Sequence, residues 1–266
     1  LIFKNYCRLI KYDNDLLLRS TIKSNNIKKI KYIHDKILNK NINDINKILN
    51  FILLNSTINV YNYFKINNYI PSNLNIILIK FIIKNEFNLF KYLFKYCKDK
   101  NNTIFLKECV RYNKSDFVKF CLKFLGNYEN IEINIAEQMI INGDINILNN
   151  LKNKNYDFSK VNNDILYKIC FSPKIELLRW ILNLNLNFDE VKNKTFNLLV
   201  LNEYYDEAIF LYNNLKNIDL KYNEYSSLKN ICYNGNSNIL HWYLSKINEI
   251  NFVKNTYLFK KLIDGD

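Results

Sequence analysis

The chain of 266 residues holds very little of what interrupts regular structure, with only Gly 4 and Pro 2. So few breakers leave helices joined by loops of another composition, and asparagine is abundant enough to supply them. The signatures of catalysis are missing too. There is no G-x-x-x-x-G-K phosphate loop, no G-x-G-x-x-G, no H-E-x-x-H and no G-x-S-x-G. The two histidines, His34 and His241, lie far apart, and the carboxylates are scattered without a pair that spacing brings together. The sequence therefore predicts no enzyme, no small-molecule substrate and no cofactor.

Six cysteines are present without a single C-x-x-C, and Cys97, Cys109 and Cys121 are too widely spaced for a local metal clip. The expectation is no metal site and reduced, structural thiols, hence a cytoplasmic compartment. No signal peptide is visible. The most apolar stretch, Asn75 to Phe94, is broken by Lys80, Lys84, Glu86 and Lys91, which predicts no membrane insertion.

What is there is charge and periodicity. The net charge of +13 is one-sided: residues 1–133 hold 23 Lys+Arg against 10 Asp+Glu, whereas residues 134–266 hold 15 of each. A one-sided basic field attracts nucleic acid, an acidic protein surface or lipid headgroups. A solvated helix face, or an AT-rich genome supplying AT-rich codons, explains the same lysines.

The stretch Ser226 to Phe252 contains two apolar-periodic segments joined by Asn234-Gly235-Asn236, with Leu228, Ile231 and Cys232 before the turn and Ile239, Leu240, Trp242 and Tyr243 after it. Glycine or asparagine lets the backbone turn left-handed between two helices without steric cost. With Asn238 as anchor, equivalents fall at Lys28, Asn59, Asn88, Asp116, Asn146, Glu176 and Glu207, at steps of 28 to 31 residues. Six and seven residues before the anchor, and four and five after it, nearly every side chain is apolar. Examples are Phe81/Ile82, Cys109/Val110 and Ile231/Cys232 before, and Tyr92/Leu93, Trp180/Ile181 and Trp242/Tyr243 after. Trp180 and Trp242 share one repeat position, which favours core over base stacking. The seventh copy fits only with a slip of one residue, through Leu198. The pattern predicts an all-α tandem array of about eight helix-turn-helix units of roughly 30 residues.

The turns Asn142-Gly143-Asp144 and Asn234-Gly235-Asn236, each followed by Asn146 or Asn238, the segment Glu176-Leu177-Leu178-Arg179-Trp180 and the opening Ser226-Ser227-Leu228-Lys229 resemble the ankyrin repeat. The likeness is to the degenerate form found in large DNA viruses and in AT-rich amoebae and parasites. It implies one α-solenoid over residues 1–266, with projecting hairpin fingers shortened or absent because each unit falls about three residues short of the usual 33. Stepping the period back and forward runs past both ends, which predicts a segment of a longer protein. The resemblance also implies a concave face lined by exposed first-helix positions eight, five and four residues before each anchor. Lys23, Lys80, Lys84, Arg111 and Tyr112 would make a basic groove there, with Tyr233 at the equivalent place in the last copy. The function so implied is a non-enzymatic scaffold or adaptor gripping a protein partner with an acidic surface, in a host cytoplasm or a virion if the source is viral. The alternative is sequence-independent nucleic-acid binding by the basic half.

Overall fold

The computed structural model describes Asn26, Lys28 and residues 74–98, 103–184 and 186–247. Lys23, His34, Asn59, Pro71 and the two ends of the repeat array lie outside the described residues. Among the described residues every regular element is helical, with twelve α-helices, two short 3-10 turns and no strand. The chain divides at Gly126 into two compact units.

In the first unit, α1 (Leu74–Lys84) pairs with α2 (Phe87–Phe94), and α3 (Thr103–Arg111) with α4 (Ser115–Leu122). The second unit repeats the arrangement four times. Its hairpins are α5 (Ile133–Asn142) with α6 (Ile145–Asn153), α7 (Ile165–Ile169) with α8 (Ile175–Leu182), α9 (Lys192–Leu201) with α10 (Tyr205–Asn214), and α11 (Tyr222–Tyr233) with α12 (Ser237–Lys246). Within each unit first helices pack on first helices: α1 on α3 in one, and α5 on α7, α7 on α9 and α9 on α11 in the other. Second helices do likewise, α2 on α4, α6 on α8 and α8 on α10. A hairpin this small cannot cover its own apolar face, so the neighbouring copy covers it.

The apolar pairs before each anchor are the buried ones. Phe81/Ile82, Cys109/Val110, Met139/Ile140, Ile169/Cys170 and Ile231/Cys232 are all buried. Trp180 is buried as its repeat position predicts, donating its indole N–H to Asn149 Oδ1 at 2.9 Å, while Trp242 is half-buried. The two cores differ in filling. That of the first unit is a cluster of rings, with Phe90 centred 5.4, 6.3, 5.1 and 6.0 Å from Phe94, Phe105, Phe117 and Phe120. That of the second is mostly Ile, Leu and Val.

The turns explain the spacing. Three residues before the anchor the backbone is left-handed at Asn85 (φ 61°), Asn113 (φ 50°), Gly143 (φ 71°) and Gly235 (φ 67°). Pro173, whose ring forbids positive φ, takes that place in the α7–α8 turn. Glu203 (φ 63°) is the sixth member, which makes the seventh anchor Asp206 and not Glu207. The slip through Leu198 is thereby corrected. In the new register Phe196, Leu199, Val200, Ala208 and Leu211 are buried where their equivalents are, and Leu201, placed in the core by the sequence pattern, is 53% exposed. The extra length of this copy lies at the end of α10, which has ten residues where α8 has eight. The last copy is also less regular than its sequence suggests, since α11 carries a left-handed kink at Asn223, Glu224 and Tyr225.

The return segments of the second unit share a signature of their own. Asn127, Asp157, Asn187 and Asp219 each accept, through Oδ1, the backbone N–H two residues on, at 2.9, 3.0, 2.9 and 2.8 Å. These side chains substitute for a backbone turn. The apolar residues that follow, Phe158, Phe188 and Leu220, and then Ile131, Val161 and Val191, fold back into the core.

Candidate functional site

With the register corrected, the surface can be read by columns. Five residues before each anchor, at the exposed end of the first helices, the second unit presents Ile141, Phe171, Leu201 and Tyr233, exposed by 37, 59, 53 and 72%. The next position carries Asn142, Ser172, Asn202 and Asn234, so a polar row runs beside the apolar one. These amides are partly held: Asn142 Oδ1 accepts from Gln138 at 3.0 Å, and Asn202 donates to the Leu198 carbonyl at 3.1 Å. Burying the ladder would be favourable by roughly 25 cal/mol per Å² of apolar surface removed from water. Scattered exposed hydrophobes are ordinary, whereas these four recur at one repeat position on successive hairpins of one unit.

In the first unit the same positions hold Ile83/Lys84 and Arg111/Tyr112, with Lys80 one turn before Lys84, all exposed. Arg111 lies 3.9 Å from the Glu108 carboxylate and 5.7 Å above the Tyr112 ring. Arg111 is exposed although Glu108 is half-buried, so solvent screens the pair and its net contribution is small. Four of the residues predicted from sequence are thus brought together in one unit, Lys80 and Lys84 on α1, Arg111 at the end of the neighbouring α3 and Tyr112 just past it. Tyr233 belongs to the other unit, where it continues the apolar ladder.

Sequence reasoning missed Ile141, Phe171 and Leu201 because an apolar residue beside a buried pair reads as core. It also missed a second basic surface, on the second helices of the first unit. The segments Lys91-Tyr92-Leu93-Phe94-Lys95-Tyr96 and Lys119-Phe120-Cys121-Leu122-Lys123-Phe124 share a Lys-aromatic spacing and run from the last turns of two adjacent helices into their C-caps and the residues just beyond. All four lysines are exposed.

The thiols are placed for packing. The five described cysteines are free and buried, and the sulfurs of Cys109 and Cys121 lie 3.9 Å apart. Burial pushes the Cys109 thiol far above its ordinary range and that of Cys170 up to about 12, so both stay protonated and poorly nucleophilic at neutral pH. Among the described residues no group of three or more His, Cys, Asp or Glu could hold a metal ion, and no helix is long and apolar enough to cross a membrane. Comparison with protein-family models, with curated proteins and with solved structures found no match to this chain.

Proposed function

We propose that this chain is a non-enzymatic protein-binding scaffold, an ankyrin-like α-solenoid that grips a partner along the exposed ends of its first helices. The observation that supports the reading is the ladder Ile141, Phe171, Leu201 and Tyr233, since apolar side chains that the fold leaves 37 to 72% exposed at one repeat position gain further burial when something covers them. Lys80, Lys84, Arg111 and Tyr112 support a second contact area at the same position in the first unit. Charge there favours an acidic partner surface and acts mainly on association rate and specificity.

The test uses the full chain. Phe171→Asp with Leu201→Asp, and separately Lys80→Glu, Lys84→Glu and Arg111→Glu together, should leave helicity unchanged, because all five side chains are exposed. Partner capture should fall at least tenfold in the first variant and several-fold in the second, the latter loss shrinking as salt is raised. Undiminished capture by the first variant rejects this face.

A further inference from the structure

The lysine–aromatic surface on α2 and α4 points to a ligand of different chemistry. Counted from anchors Asn88 and Asp116, Lys91 and Lys119 occupy one position, and Lys95 and Lys123 lie one helical turn on. Residues four apart on a helix sit about 5–6 Å apart at Cβ, and α2 packs directly on α4. The four lysines therefore fall at a two-by-two set of positions on the two helices, with Glu86 at the N-terminal end of α2 and Asp116 one turn before Lys119 on α4. Each pair is followed by a ring. Tyr92 and Phe120 are half-buried, and Tyr96 and Phe124 are 38 and 37% exposed. Tyr96 packs edge-on against the half-buried Tyr92 at 6.0 Å, and Phe124 lies tilted against Phe120 and the buried Phe94 at 5.0 and 5.2 Å, so each exposed ring rests on a neighbouring ring.

The second unit provides a control. At the positions of Lys95 and Lys123 it carries Asn153, Asn183, Asn213 and Ser245, and at those of Lys91 and Lys119 it carries Asn149, Arg179, Ile209 and His241. The fold does not require cations there.

We propose that the α2–α4 face binds single-stranded nucleic acid, the lysines meeting phosphates and Tyr96 and Phe124 offering faces on which bases stack. Cations alone suit any polyanion. Anchored rings among them favour unpaired bases, which expose a π-face as duplexes, acidic peptides and lipid headgroups do not. This surface is on second helices of the first unit and the partner-binding ladder on first helices of the second, and each reading can fail without the other.

The probe is a fluorescein-labelled oligouridylate titrated with the full chain, read by anisotropy over a series of salt concentrations. Four phosphates neutralised on a single strand give a slope of log K against log salt of about −2.8. Lys95→Ala with Lys123→Ala should bring it to about −1.4. Tyr96→Ala with Phe124→Ala should weaken binding about thirtyfold or more at an unchanged slope. Polyglutamate, phosphatidylserine vesicles and a duplex of equal length should bind less tightly than the single strand. No binding at low salt, a slope indifferent to the lysine pair, an affinity indifferent to the rings, or equal preference for any of those competitors would each overturn the proposal.

Discussion

The two units carry the same hairpin in the same register and fill and dress it differently. The first packs phenylalanine rings around Phe90 and puts lysines on its second helices; the second packs aliphatic chains and puts an apolar ladder on its first helices. The lesson is one of division of labour within a repeat. Positions that touch the neighbouring copy are constrained to be apolar and of suitable volume, whereas positions that face water are free to vary, and the two units carry different chemistry at them.

Substitutions at matched positions test how deep that difference goes. Phe90 and Leu148 stand two residues after their anchors, both fully buried. Phe90→Ala should cost about 4 kcal/mol, since it opens a void in a ring cluster, and Leu148→Ala about 3. Urea unfolding of the full chain measures both. Equal losses, or a trivial one at Phe90, would mean that the aromatic cluster does not carry the first unit.

Alkali should weaken the fold through its buried thiols. The Cys170 thiol is raised from 9.0 to about 12 in the folded chain, by burial first and by the Glu207 carboxylate second. A raised value means that its contribution is complete below pH 9 and is withdrawn as pH climbs toward 12, at up to about 1.4 kcal/mol per pH unit. Cys170→Val, which installs the residue found at the equivalent Val110 and Val200, should flatten that part of the decline. Denaturation midpoints at pH 8 and 10.5 decide it; identical slopes for both proteins would show that the thiol is not sealed from solvent.

The turns should respond with opposite signs. Gly143 is left-handed, and a Cβ there would meet Leu177 Cδ2 at 3.4 Å, so Gly143→Ala should cost about 1–2 kcal/mol. Glu203 occupies the same turn position with a side chain that disfavours it. Glu203→Gly should therefore stabilise by up to about 1 kcal/mol, the relief of strain being offset partly by the greater freedom of glycine in the unfolded chain. Destabilisation by Glu203→Gly would put Glu203 outside the turn register and return the seventh anchor to Glu207.

Much of the helical pairing was legible in the sequence because burial at the repeat interface is periodic and strong. The register of the seventh copy was not. Val200 and Leu201 are both apolar, and only the left-handed φ at Glu203 reveals that the helix turns one residue earlier. The return-loop signature of Asn127, Asp157, Asn187 and Asp219 was present but unread, because in so asparagine-rich a chain a recurring Asn or Asp carries no weight until its hydrogen bond is seen. The candidate surfaces were half legible. The excess of lysine in residues 1–133 was plain, but which lysines share a face depends on the packing of α1 on α3 and of α2 on α4.

The account rests on the first-helix ladder being a surface that something covers. A photo-crosslinking residue placed in turn at Phe171 and Leu201 on the ladder, and at Arg179 and Asn213 on the exposed face of α8 and α10, tests this directly in the full chain. The account predicts that both ladder positions attach to one and the same protein and that the two second-helix positions attach to none. Equal attachment from both faces, or different proteins from neighbouring rungs, would contradict it.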